Sequence, residues 1–177
     1  MKRALTARDR DRVVVRIRAL IRKHGWAIIH DHGTAGAPAI SHTVGFTATL
    51  GVPEAMVVGI HPKTAEEVLN DLGNHLRSAS PDQRSLVDGR LGGVITPPFD
   101  LGVRLRGPFA KVGHLDAAAW YYGDATFDVV QVLMPDAQNR LPGFDVDCEP
   151  EYVERQRVLD LPSPPLSVHR SRPLPPS

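Results

Sequence analysis

Six polar side chains stand where the hydrophobic pattern of this chain predicts burial: His42, Thr43, Glu54, Asn70, Gln131 and Asp136. His42 and Thr43 belong to Ala39-Ile40-Ser41-His42-Thr43-Val44-Gly45-Phe46-Thr47, whose alternation predicts a strand. Glu54 opens the apolar run Ala55–Ile60, Gln131 interrupts Phe127–Met134, Asn70 flanks the apolar stripe of a helix, and Asp136 follows the last strand in Pro135-Asp136. Burying an unpaired amide costs about 1–3 kcal/mol. Each of these groups must therefore bond either backbone atoms at an element end or a ligand. If they line one pocket, Glu54 or Asp136 beside His42 forms an acid–base pair, because imidazole titrates near neutrality and a carboxylate can orient it. The simpler reading has each group satisfied separately by backbone.

Other residues point to chemistry less sharply. His30 and His32 form an H-x-H pair next to the strand of His42, and imidazole suits zinc, iron or copper if the strands form a hairpin. No acidic residue follows at a matching spacing, and solvated loop histidines are the simpler reading, so no metal is assigned. Cys148 lies among acidic residues, which raise a thiol pKa and argue against a nucleophile. Gly89–Gly93 lacks the Lys-Ser/Thr of a phosphate loop and the spacing of a dinucleotide loop. Trp120-Tyr121-Tyr122 can stack on a base or a flavin, but packing accounts for it as well.

The elements that must position these residues follow from periodicity and punctuation. Thr6-Ala7-Arg8-Asp9 reads as a capping box opening an amphipathic helix with Val13, Ile17, Leu20 and Ile21 on one face, closed at His24-Gly25. Trp26–His30 predicts a strand, Asp31–Pro38 a loop, and Ala39–Thr47 a strand placing Ile40, His42, Val44 and Phe46 on one face. Ala55–Ile60 predicts a central strand covered on both faces. A second capping box at Thr64-Ala65-Glu66-Glu67 predicts a helix to Ala79 with Ala65, Val68, Leu69, Leu72 and Leu76 inward. Asp82–Phe99 is rich in turn residues. Leu101–Arg106 alternates like an edge strand that Phe109–Val112 continues, Leu115–Tyr122 predicts a short helix, and Phe127–Met134 the last strand.

These residues and their order resemble the bacterial domain-of-unknown-function family 4262. The resemblance rests on Gly25-Trp26, His42-Thr43-Val44-Gly45-Phe46, Val52-Pro53-Glu54 running to Gly59, Leu69-Asn70, Gln131, Pro135-Asp136 and Pro142-Gly143, and covers residues 20–145. This chain departs from the family pattern at His42 for a tyrosine, Val52 for a histidine and Gly143 for a tryptophan. The resemblance implies a shared fold and a bacterial, phage or plasmid origin; it implies no reaction.

Composition bounds the rest. The chain has 177 residues, 42% hydrophobic and 23% charged, ordinary for one soluble globular domain. Residues 1–23 carry nine Lys/Arg against two Asp/Glu, while the formal net charge of the whole chain is only +1. This basic segment opens a nucleic-acid or acidic-partner reading, which no recognition motif or aromatic interleaving supports. One cysteine, no apolar run of membrane length and no secretory segment predict a cytoplasmic protein without a membrane partner.

The predicted fold class is α+β. It is a single domain with a mainly antiparallel sheet of about five or six strands packed by two longer helices, and a disordered Pro-rich C-terminal tail. Residues 1–24 form the basic helix, 25–158 the core and 159–177 the tail, where six of sixteen prolines fall. A flavin-type split barrel is the structural alternative. The preferred function is a ligand-binding or protein-interaction module of unknown partner. The alternatives are a small enzyme around His42, Glu54 and Asp136, and a nucleic-acid-associated protein. The sequence specifies no cofactor.

Overall fold

Helix α1 (Ala7–His24) begins and ends where its residues dictate. The Thr6 hydroxyl accepts from the Asp9 N–H, the Asp9 carboxylate accepts from the Thr6 N–H, and Gly25 closes the helix at φ 97°. The computed structural model describes residues 6–33, 38–79, 94–95, 103–110, 115–123 and 126–156, with backbone only for 94–95 and 103–110. The predicted tail and most of the turn-rich Asp82–Phe99 stretch lie outside the described residues.

Strands β1 (Ala27–Asp31), β2 (Ile40–Val44), β3 (Glu54–Val58), β4 (Val94–Ile95), β5 (Val103–Ala110) and β6 (Asp128–Leu133) form one sheet in the order β1-β2-β3-β6-β5-β4. Every neighbouring pair is antiparallel except β3 and β6, so the sheet is mixed but mainly antiparallel. Among the described residues it is open, with β1 and β4 at its edges, rather than closed into a split barrel. β5 lies inside β4 rather than at the edge its alternation predicts. It runs through Gly107-Pro108 with a register shift between Arg106 and Phe109.

Two helices cover opposite faces. On one face Ile17 of α1, with Ala117 and Ala118 of α4 (Asp116–Tyr122), packs against Ala27, Ile40, Val44, Met56, Val58 and Val129. On the other, Ala65, Val68, Leu69, Leu72 and Leu76 of α3 (Pro62–Ser78) pack against Trp26, Ala55, Val57, Val130 and Val132. The strict alternation along β3 explains why all five of its residues are buried, as expected for a central strand. Among the described residues no helix is long and apolar enough to cross a membrane.

Two boundaries differ from the sequence reading. The strand expected to reach Thr47 ends at Val44, because Gly45 turns at φ 118° and helix α2 (Phe46–Leu50) begins. A side chain at Gly45 would place its Cβ 3.0 Å from Ile21 and 3.1 Å from the Gly25 carbonyl, so the turn needs glycine twice over. The turn carries Phe46 away from Ile40 and Val44 into the α3-side core, edge-on to Trp26. Helix α3 likewise begins at Pro62 rather than at Thr64: proline presets the first helical φ, and His61 Nδ1 caps the Lys63 N–H at 3.3 Å. The last helix, α5 (Pro150–Arg155), follows a turn-rich segment from Pro135.

Candidate functional site

The six polar candidates separate into four places. Thr43 and Glu54 meet in the first. The β2–β3 ladder ends at His42–Met56, and the Thr43 hydroxyl takes over from the backbone, accepting from the Ala55 N–H at 2.9 Å and donating to Glu54 Oε2 at 2.6 Å. Glu54 Oε1 accepts from the Gly45 and Thr47 N–H groups, each at 3.0 Å, and from the Tyr122 hydroxyl. Glu54 is fully buried, and with these four donors it caps the start of α2. Tyr122 is held protonated: burial pushes its pKa up first, and the Glu54 charge pushes it further. Its ring stacks on Phe127 at 5.0 Å, so Tyr122 is a packing residue with one polar anchor, while Trp120 lies under the Arg10 guanidinium. Saturated and sealed, this carboxylate is a structural node that ties β2, α2, β3 and α4 together.

The second place is the row His42–Met56–Gln131 across β2, β3 and β6 on the α1 side. Both ring nitrogens of His42 and Oε1 of Gln131 are buried without a partner. Burial first, and the charge of His30 as well, lower the His42 pKa to about 4 against a partial upward pull from Asp31. Gln131 Nε2 donates to the Gln156 carbonyl at 2.6 Å, the backbone bond that its buried amide requires. The histidines do not converge. His30 pairs with Ser41, not His42, in the β1–β2 ladder, and its Nδ1 lies 2.8 Å from Ser41 Oγ on the opposite face. Among the described residues no group of three His, Cys, Asp or Glu side chains is placed to hold a metal ion.

Asp136 occupies the third place, a turn of its own. Its carboxylate accepts from the Gln138, Arg140 and Glu149 N–H groups and from Arg140 Nε. Burial alone would raise its pKa, but these donors outweigh it and hold the carboxyl at about 2. It bonds neither His42 nor Glu54, so the expected acid–base constellation of His42, Glu54 and Asp136 is not assembled. Nearby Cys148 is buried, which raises its thiol pKa, and the Asp136 charge adds to the rise.

The fourth place is open. Asn70 Oδ1 accepts from the Trp26 indole N–H at 3.0 Å. Trp26 lies edge-on to Phe46 and beneath the Arg77 guanidinium, 4.4 Å from the ring centroid. Gly73 permits this approach, since a Cβ there would stand 2.5 Å from Trp26 Cζ2. Around this indole runs a groove of about 450 Å³. Its floor is Trp26, Ala27 and Ile28; one wall is Leu20, Lys23 and His24, the other Glu66, Asn70, Asn74 and Arg77. The second wall falls at intervals of four, four and three along α3, a single stripe beside the buried face. Of the groove residues only Asn70 stands out in the sequence as a site candidate; Leu20, His24, Trp26 and Glu66 are marked there only as parts of elements and their caps. Lys23, His24, Glu66, Asn74 and Arg77 resemble ordinary solvated positions, and only that stripe interval marks the α3 members.

A family model described as Domain of unknown function (DUF4262) matches residues 20–147. No curated protein and no solved structure matches the chain.

Proposed function

We propose that this chain, which belongs to the DUF4262 family, is a protein-interaction module that receives its partner in the groove beside β1. The observation that carries this reading is the convergence of two helix ends and an edge strand on one polar-walled groove of about 450 Å³, within the size range of ligand sites. The groove holds what a recognition surface uses: an apolar floor and side-chain amides that can both donate and accept. It also holds charges of both signs that can fix orientation. The single cysteine fits the reducing cytoplasm as the compartment where the module works.

The acid–base enzyme reading is weaker, because Glu54 and Asp136 are each committed to structural donors and His42 is sealed from substrate. The interaction reading is tested by selecting binders from a displayed library of random linear peptides on the full chain. Selected peptides are expected to shift backbone amide resonances of residues 24–30 and 66–77 and to lose binding to Lys23→Glu and Asn74→Ala. Peptides that map elsewhere, or a library that yields no binder, would overturn it.

A further inference from the structure

Through Ala27 and Ile28 the groove floor reaches the first residues of an edge strand. Among the described residues β1 is first in the sheet order and pairs with β2 alone, through five consecutive residue pairs without a bulge. Every second residue of β1 therefore directs its N–H and C=O away from the sheet, a template for one more strand. The usual blocking devices are missing: Ala27-Ile28-Ile29-His30-Asp31 contains no proline and carries its only carboxylate at the far end. Ile28 and Ile29 remain half-buried, so apolar surface stays uncovered along this edge.

The walls are charged unequally along their length. Helix α3 runs antiparallel to β1: the Arg77 guanidinium donates to the His24 carbonyl beside the start of β1, and Glu66 lies 3.9 Å from His30 near its end. The basic last turns of α1 and α3 thus meet at one end of the groove, bringing Lys23, His24 and Arg77 together, while Glu66 marks the other. From Glu66 to Arg77 the helix advances about 16 Å at 1.5 Å per residue. That is the length of about five extended residues at 3.3 Å each, and β1 has five. Between the two ends Asn70, its carbonyl taken by Trp26, keeps an NH₂ to offer, and Asn74 keeps both functions.

We propose that the partner is an extended segment of another protein that adds to β1 as an antiparallel strand of about five residues, with Asp or Glu side chains at its C-terminal end beside Lys23 and Arg77. This rests on the groove being the binding surface. Antiparallel addition runs the incoming strand from the Glu66 end to the basic end, so the acidic side chains belong at its C-terminal end. The backbone ladder supplies affinity and the charges set direction. A second copy of this chain fits poorly. Helix α1 packs over β1 itself, and a paired copy would bring its own α1 within about 5 Å laterally, where packed helices need about 8–10 Å. A bare strand carries no helix.

The test titrates the full chain with an N-acetylated, C-terminally amidated peptide, Lys-Val-Thr-Val-Thr-Asp-Glu, followed by amide resonances. Shifts are expected in residues 27–31, with binding weakened at least about tenfold when the sequence is reversed or when alternate backbone nitrogens are methylated, each worth about 1.4 kcal/mol. Lys23→Glu is expected to weaken the original peptide and favour the reversed one. Equal binding of the methylated peptide, or shifts away from β1, would overturn strand addition. A mass doubling with concentration that Ile29→Lys abolishes would overturn it too, making the occupant a second copy. If this peptide fails while library-selected peptides still map to the groove, strand addition falls and the groove reading stands; if neither maps there, both fall.

Discussion

The Glu54 node and the groove beside β1 use similar polar chemistry to opposite ends. At the node one carboxylate takes four donors from three directions and is fully buried. In the groove, amides and charges stand half-buried or exposed along one flank of α3. Asn70 accepts a single hydrogen bond from Trp26, Arg77 donates to the His24 carbonyl and lies over the Trp26 ring, and Glu66 lies 3.9 Å from His30, while the exposed Asn74 keeps its amide to offer. A saturated polar group holds the fold and has little left to give a ligand. A polar group aligned beside an open strand edge contributes little to stability and is available. Burial alone therefore does not mark a functional residue; unused hydrogen-bonding capacity at an accessible place does.

The largest expected effect breaks the node. Glu54→Ala strands buried N–H and O–H donors and uncaps α2, at a cost of about 3–5 kcal/mol in chemical denaturation. The near-isosteric Glu54→Gln keeps the volume but points an NH₂ at donors, and is expected to lose about 1–3 kcal/mol. A Glu54→Ala protein of unchanged stability would mean that the carboxylate is held for another purpose.

His42 is the next test, because it is as buried as Glu54 but has no partner. In the unfolded chain an imidazole takes up its proton near pH 6.5; in the folded protein it does so only near pH 4. Between these values the unfolded state binds more protons, so stability falls as pH drops from about 6.5 to about 4 and levels off below. The full loss is about 3 kcal/mol, and about 2 of it is spent by pH 5. Denaturation of the wild type at pH 7 and pH 5 is expected to show this difference, and His42→Phe to flatten it. Equal pH dependence in both proteins would assign the loss to other groups.

Tyr122→Phe makes a smaller cut in the node. It removes one donor from Glu54 and leaves the stacking on Phe127 in place. The expected cost is about 1–2 kcal/mol, with no change in groove binding. A change in peptide affinity would show that node and groove are coupled through β2 and β1.

Much of the framework was legible because it rests on short-range rules. The capping box at Thr6 and Asp9, the left-handed Gly25, the apolar run of β3 after Glu54 and the stripe of α3 each carry their signal within a few residues. The misreadings came from equally local signals that met tertiary constraints. Gly45 sits within a convincing alternation, yet the close approach of Ile21 and the Gly25 carbonyl makes it a corner. Of the site, the sequence exposed which side chains were polar in apolar company, but not their partners. Glu54 and Tyr122 are 68 residues apart, and no pattern announces their contact. Asn70 attracted notice as part of a pocket with His42; its true neighbour, Trp26, is 44 residues away on the opposite side of the sheet from that histidine.

The smallest stability effect sharpens the comparison most. Asn74 is exposed on the groove stripe and Gly73 beside it is buried against Trp26, so adjacent positions on α3 should behave oppositely. Gly73→Ala drives a Cβ into the indole and is expected to cost about 1–3 kcal/mol despite alanine's better helix propensity. Asn74→Ala changes an exposed helical position and should move stability by no more than about 0.5 kcal/mol, in either direction. Its effect belongs to binding: losing one hydrogen bond to an added strand weakens the Lys-Val-Thr-Val-Thr-Asp-Glu peptide by about three- to tenfold. Denaturation and titration of the same two proteins check both halves. An Asn74→Ala protein that is destabilised but binds normally would place this residue with Glu54 rather than with the groove.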